Sequence, residues 1–275
     1  IPLTIHPIPT ATLSTLTAKC ADDETAQTIT ATISDDLDGD GVWTGNVKKV
    51  SEKTASFVPK TAGAGTNSIS YEFTSLAGCK AEKKLTLVEV FSMPEITITP
   101  SLTEVCEQGG TTSGDITMAL GGTYATTGAQ TPTYSYTSST LTGVDATTGK
   151  FSSIGQVAGI HTVNLTYTDA NGCKGLASNS VKINAKPIID FDLQTTICDY
   201  ESAINLVGKV KYESGSFSTI SGGTVAFSGT GGVSGSAFTP TGLAGEKEIT
   251  LSYTDANGCK ADDVKHSIVV NHIDV

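Results

Sequence analysis

The sequence predicts an all-β protein, a tandem array of three β-sandwich modules with one disulfide each. Three observations carry this expectation: a set of landmarks that recurs three times in order, short segments of period-two alternation, and six cysteines that fall two to a repeat. The repeat is anchored on Gly-Cys. "ISYEFTSLAGC" ends at Cys79, "VNLTYTDANGC" at Cys173 and "ITLSYTDANGC" at Cys259. Upstream of each anchor stands a phenylalanine followed by Ala-Gly: Phe57 with Ala62 and Gly63, Phe151 with Ala158 and Gly159, Phe238 with Ala244 and Gly245. A second cysteine (Cys20, Cys106, Cys198) precedes each anchor, and a proline (Pro9, Pro94, Pro187) precedes that cysteine by 11 or 12 residues.

Within each repeat the local pattern is that of strands. Ile69, Tyr71 and Phe73 alternate with Ser70 and Glu72; Val163, Leu165 and Tyr167 with Asn164 and Thr166; Ile249, Leu251 and Tyr253 with Thr250 and Ser252. β-Branched and aromatic residues at every second position mark half-buried strands. Asp-Ala-Asn-Gly then supplies turn chemistry, because Asn and Gly tolerate positive φ. A further alternating segment follows each turn, read at Leu85 and Leu87, Val181 and Ile183, and Ile268 and Val270. Each anchor cysteine is therefore expected in the last hairpin of its module. No stretch sustains a helical period with caps, so the modules are expected to be immunoglobulin-like sandwiches.

The boundaries follow from the landmarks: 1–8 as the end of a preceding module, then modules at 9–92, 93–186 and 187–275. "IPLTIHPIP" has the alternation and trailing prolines of the junction "LTLVEVFSMPEI", so Ile1–Pro7 reads as a last strand; "SIVVNHIDV" reads as running into a following linker. The junctions at Phe91–Pro94 and Ala185–Pro187 are short and contain proline, which implies a semi-rigid rod. The economical cysteine pairing is within modules: Cys20 with Cys79, Cys106 with Cys173 and Cys198 with Cys259. Such bridges would shield most of each module from a pulling force, and they imply an oxidising, extracellular setting.

Composition excludes several functions. The chain has 275 residues, 28 acidic residues against 17 Lys and no Arg, for a net charge of -11. That field opposes nucleic acid and anionic membranes, and the missing guanidinium removes the usual bidentate phosphate ligand. No apolar run approaches the ~18 residues of a membrane span.

The third repeat, "CDYESAINLVG" through "GGTVAFSGTGGVSGSAFTPTGLAGEKEITLSYTDANGC" to "HSIVV", resembles the immunoglobulin-like or PKD-like repeats of very large Bacteroidota cell-surface proteins, among them the SprB-type gliding adhesins exported by type IX secretion. The resemblance extends over all three repeats and is weakest in the first; "LTGVDATTGKFS" in the second resembles a hairpin of other bacterial repeats of this kind. It implies an extracellular, cell-surface adhesin stalk. Its partners would be neighbouring modules of the same long chain, and surface polysaccharide or other cell-surface proteins, with no nucleic acid and no membrane insertion.

The remaining local motifs read as scaffold. "DDLDGDG" matches the opening of a calcium loop at Asp36, Asp38, Asp40 and Gly41, but Val47 occupies the place of the closing acid, so an Asp-Gly turn is expected, with weak calcium binding as the alternative. His266 and Asp262 lack a nucleophile, and Asp22, Asp23 and Glu24 lack an opposing acid. The glycines of Ser228–Ser236 lack dinucleotide spacing and are expected in a tight hairpin. Asn164-Leu-Thr166 fits a glycan acceptor but falls within an expected strand. Trp43, Tyr134 and Tyr136 could stack on a sugar ring, though core packing is the commoner fate of such residues. No catalytic residue, metal or cofactor is expected. A carbohydrate-binding accessory region of a polysaccharide-degrading enzyme, or a surface filament subunit, stand as alternatives.

Overall fold

The computed structural model describes residues 5–108 and 114–272. The part of the expected Ile1–Pro7 strand at residues 1–4 lies outside them, as do residues 273–275, and residues 5–10 carry no strand. The fold is all-β; the one α-helix among the described residues is the single turn Pro59–Ala62. The chain divides into two compact units, one made of Ile1–Ile96, Gly122–Tyr134 and Thr166–Leu176, the other of Thr97–Gly121, Ser135–Leu165 and Ala177–Val275.

In the first unit two four-stranded sheets face each other. One has the order Ala11–Leu13, Gln27–Ile33, Thr54–Phe57, Val47–Lys49; the other Lys19–Cys20, Lys84–Phe91, Gly65–Ser75, Gly39–Thr44. The period-two pattern places Ile29, Ala55 and Phe57 of the first sheet against Ile69, Val88 and Val90 of the second, all fully buried. Ala11, Ala31 and Ile33 meet Tyr71 and Phe73 in a second cluster. These side chains supply the apolar burial that drives the sheets together. The last strand corrects one expectation. Leu85 and Leu87 are 62% and 60% exposed, while Val88 and Val90 face the core. Alternation read from the leucines gave the wrong parity, and a one-residue slip exchanges the two faces of a strand.

The second unit contains the equivalent sheet Thr196–Cys198, Val264–Asn271, Gly245–Thr254, Thr224–Gly229. It packs on the sheet Pro187–Phe191, Gly208–Tyr212, Ser218–Thr219 around Phe191, Phe238, Ile249, Leu251, Ile268 and Val270. A further four-stranded sheet repeats the order with Glu104–Cys106, Lys174–Asn184, Gly159–Thr168 and Thr133–Thr137. The sheet order therefore occurs three times, as the landmarks do. Phe57, Phe151 and Phe238 are buried in all three copies.

One feature of these sheets decides the cysteine geometry. The short strand that ends in the first cysteine of each repeat runs parallel to the last strand: Cys20 sits opposite Phe91, Cys106 opposite Asn184 and Cys198 opposite Asn271. Each of these cysteines lies at the finishing end of the last strand, whereas the Gly-Cys turn lies before its start.

Candidate functional site at the cysteine bridges

The structure corrects the cysteine pairing. Cys20 is bonded to Cys173, with Cα atoms 5.6 Å apart, and Cys106 to Cys259, with Cα atoms 5.5 Å apart; each bridge spans 153 residues of sequence. Cys79 and Cys198 are free and half-buried. The expected pairs Cys20–Cys79, Cys106–Cys173 and Cys198–Cys259 do not form, and the reason is strand direction. Cys20 and the turn holding Cys79 stand at opposite ends of Lys84–Phe91, whose eight residues extend roughly 25 Å at ~3.3 Å per residue. A disulfide requires Cα atoms within about 7 Å. The first cysteine of one repeat can therefore reach the second cysteine of the next repeat, but not that of its own.

Both halves of the bridge are built by local sequence. In the Asp-Ala-Asn-Gly-Cys turns the aspartate is the cap. Asp169 Oδ1 accepts the backbone N–H groups of Asn171 and Cys173, both at 2.9 Å. Asp255 Oδ1 accepts those of Asn257 and Cys259 at 2.9 and 2.8 Å. The aspartate N–H bonds the cysteine carbonyl, and the glycine N–H returns to the aspartate carbonyl. Gly172 (φ 86°) and Gly258 (φ 83°) occupy the left-handed region that an L side chain resists. The eight-residue repeat "YTDANGCK" is thus a strand end followed by a self-capped turn that presents a buried cysteine. Ser75 replaces the aspartate in the first repeat. Its Oγ accepts one N–H, that of Cys79, at 3.1 Å, and Gly78 (φ 81°) keeps the same turn.

The other half is equally regular. The residue after each first cysteine donates its N–H to the last strand: Ala21 to Phe91 O at 2.8 Å, Glu107 to Asn184 O at 2.8 Å, Asp199 to Asn271 O at 3.1 Å. Cys198 also donates its N–H to Glu201 Oε1 at 2.9 Å. Around Cys20–Cys173 lies an open polar hollow of about 500 Å³ lined by Lys19, Asp22, Asp23, Gln130 and Asn171.

The remaining sequence candidates are dispersed. Asp36 pairs with Lys53 at 2.6 Å. That hydrogen bond and the lysine charge hold its carboxyl below the usual carboxylate range. Gly39, Asp40 and Gly41 already belong to the strand Gly39–Thr44, paired with Ser75, Thr74 and Phe73. A Cβ on Gly41 would come within 1.9 Å of the Glu52 carbonyl oxygen, so these glycines serve close strand packing. Among the described residues no cluster of three or more His, Cys, Asp or Glu could hold a metal.

His266 and Asp262 do not meet. His266 pairs with Asp190 at 2.9 Å and lies edge-on to Phe191, while Asp262 binds Lys186 at 2.7 Å. Asp23 caps Thr25, and Glu24 pairs with Lys60 at 2.5 Å. Trp43 packs on Tyr71 with ring centroids 4.5 Å apart, and Tyr136 is buried with its hydroxyl 3.4 Å from the Met118 carbonyl, while Tyr134, two residues earlier on the same strand, is half-exposed. Asn164 lies exposed on Gly159–Thr168. Of the Ser228–Ser236 glycines, Gly235 (φ 59°) lies in the two-residue hairpin between Val233–Ser234 and Ala237–Phe238, and Gly231 and Gly232 lead from Thr224–Gly229 into it.

No protein-family model matches this chain, and no curated protein matches it. Among solved structures, the three N-terminal domains of the bacteriophage RB49 highly immunogenic outer capsid protein share 13% identity, with 97% of this chain and 99% of that one covered and a TM-score of 0.38. The D00-D0 domain of intimin shares 14% over 64% of this chain and 99% of its own, at a TM-score of 0.35. Drosophila N-cadherin EC1-4 shares 9% over 97% and 76%, also at 0.35. Likeness at this level carries no argument, so the reading rests on the sheets and bridges described above. No helix among the described residues is long and apolar enough to cross a membrane.

Proposed function

We propose that the chain is a non-catalytic, load-bearing stretch of an extracellular cell-surface protein, comprising immunoglobulin-like modules at 9–92, 93–186 and 187–275. The observation that carries this reading is the pair of overlapping 153-residue bridges. Each ties the first-cysteine strand of one repeat to the capped turn of the next, so a force applied along the chain crosses the junctions through sulfur as well as through the backbone. Loops of this length contribute about 5 kcal/mol each by loop-entropy arithmetic, and such bonds persist in oxidising compartments. The role expected from intramodule bridges, shielding each module singly, becomes a role in binding successive modules together.

An adhesin stalk of the Bacteroidota gliding type, exported by type IX secretion, is the specific form that the sequence resemblance favours. Its binding partners would be other cell-surface proteins or surface polysaccharide. A sugar-binding platform gains no support from Trp43 and Tyr136, which are spent on packing.

Single-molecule pulling tests the mechanical reading. With both bridges intact the shortest covalent path between the ends runs through residues 1–20, 173 back to 106, and 259–275. That path of about 100 residues extends to about 370 Å at ~3.6 Å per residue, against about 990 Å for the reduced chain. A nearly threefold gain in contour length on adding reductant is expected. Equal lengths with and without reductant would sink the proposal.

A further inference from the structure

Cys79 and Cys198 are the two cysteines left over, and each is the match of a bridged one. Cys79 sits in the same turn as Cys173 and Cys259, with the Ser75 N–H on the Cys79 carbonyl at 2.9 Å and the Gly78 N–H on Ser75 O at 2.8 Å. Cys198 ends a strand parallel to the last strand, as Cys20 and Cys106 do, and Asp199 makes the same backbone bond as Ala21 and Glu107. The chain therefore holds two complete bridges and both halves of a third.

We propose that the third bridge forms between copies of this chain, head to tail, joining Cys198 of one copy to Cys79 of another. The residues beside the two thiols favour this pairing. Beside Cys20–Cys173 the opposed residues are polar, with Asp22 and Asp23 across from Asn171. At the free halves Ala77 stands in the place of Asn171, next to Leu76, which is 83% exposed, and Tyr200, 72% exposed, stands in the place of Asp22, while Glu201 keeps an acid in the place of Asp23. By repeat equivalence Tyr200 takes the place of Asp22 and Ala77 that of Asn171, so a third bridge would set Tyr200 of one copy beside the Leu76-Ala77 turn of the next. Joining them removes from water two large side chains that each copy otherwise leaves exposed.

The bond needs an oxidant, and a low-molecular-weight disulfide such as oxidised glutathione suffices. The Cys198 thiolate attacks one glutathione sulfur and expels glutathione thiolate. The Cys79 thiolate of the second copy then attacks the Cys198 sulfur of that mixed disulfide and expels the second glutathione. Two protein thiols lose two electrons and two protons, and one glutathione disulfide becomes two thiols. This inference rests on the repeat equivalence that underlies the proposed function but not on load bearing. Pulling on single copies and coupling between copies can therefore fail independently.

The test mixes two full-length variants, Cys79→Ser and Cys198→Ser, in a glutathione redox buffer, with non-reducing electrophoresis and peptide mapping as readouts. The mixture is expected to give a covalent heterodimer mapped to Cys198–Cys79, at least about tenfold above the homodimer of either variant alone, and the unmutated chain a ladder of higher multimers. Tyr200→Ser and Leu76→Ser are each expected to lower the coupling yield roughly threefold or more while leaving the two existing bridges intact. Heterodimer no more abundant than homodimers, a bridge between Cys79 and Cys198 of one copy, or unmutated chains that stay monomeric with both thiols free would overturn the proposal. So would a peptide map of the natural protein joining either cysteine to a peptide outside this sequence.

Discussion

The turn Asp255–Cys259 and the turn Ser75–Cys79 follow one backbone path and hold their cysteines differently. In the former a buried carboxylate accepts two backbone N–H groups and also takes the Tyr212 hydroxyl at 3.2 Å; the cysteine is buried and bridged to Cys106. In the latter a hydroxyl accepts one N–H, and the cysteine is half-exposed and free. The shared glycine at positive φ and the reciprocal backbone bonds are sufficient for the turn itself. The carboxylate and the bridge add strength to a geometry that exists without them. The neighbouring Tyr212 hydroxyl is held well above the ordinary tyrosine pKa, first by its own burial, then by the Asp255 charge and by Tyr253.

That comparison can be broken at the sulfur first. Cys259→Ser is expected to destabilise the second unit by about 2–5 kcal/mol in chemical denaturation, and Cys79→Ser to change the stability of the isolated chain by no more than about 0.5 kcal/mol. Equal losses would mean that Cys79 is not free in solution. The cap gives a smaller contrast. Asp255→Ala strands the buried Cys259 N–H and is expected to cost about 3 kcal/mol, against about 1 kcal/mol for Ser75→Ala, both read from denaturation midpoints.

The smallest effect is electrostatic. The hydrogen bond from His266 holds the Asp190 carboxyl below its ordinary range, more than burial raises it; Lys182 and then Asn184 do the same for Glu104. Folded carboxylates with depressed pKa values stabilise the protein fully above the unfolded value near 4, and that stability is lost as pH falls through the folded values. The denaturation midpoint should therefore decline modestly between about pH 4 and pH 2, with a shallower decline in Asp190→Asn. An unchanged slope in that variant would show that the His266–Asp190 pair contributes nothing measurable, as exposed pairs often do.

The fold was legible where period-two burial is strict. Ile69, Tyr71 and Phe73 are buried, as are Val163, Leu165 and Tyr167, and Ile249, Leu251 and Tyr253. It was misread at Leu85 and Leu87, where hydrophobicity alone does not say which parity faces the core. The bridges were misassigned although a numerical trace was present. Intramodule pairs would span 59, 67 and 61 residues (20 to 79, 106 to 173, 198 to 259), whereas the pairs that form both span 153. Constant spacing was the better guide, because equivalent bridges between equivalent repeats need equal lengths of chain.

The sequence by itself determined the strands, the three-fold recurrence of landmarks and the self-capped Asp-Ala-Asn-Gly-Cys turn, because these depend on side-chain alternation and on bonds between residues a few positions apart. Only the tertiary structure decided which cysteines meet. That outcome depends on the first-cysteine strand running parallel rather than antiparallel to the last strand, a choice made by hydrogen bonding between segments about 70 residues apart, as from Cys20 to Phe91. Local pattern carries no record of strand direction, and direction places the two cysteines of one repeat at opposite ends of the same strand.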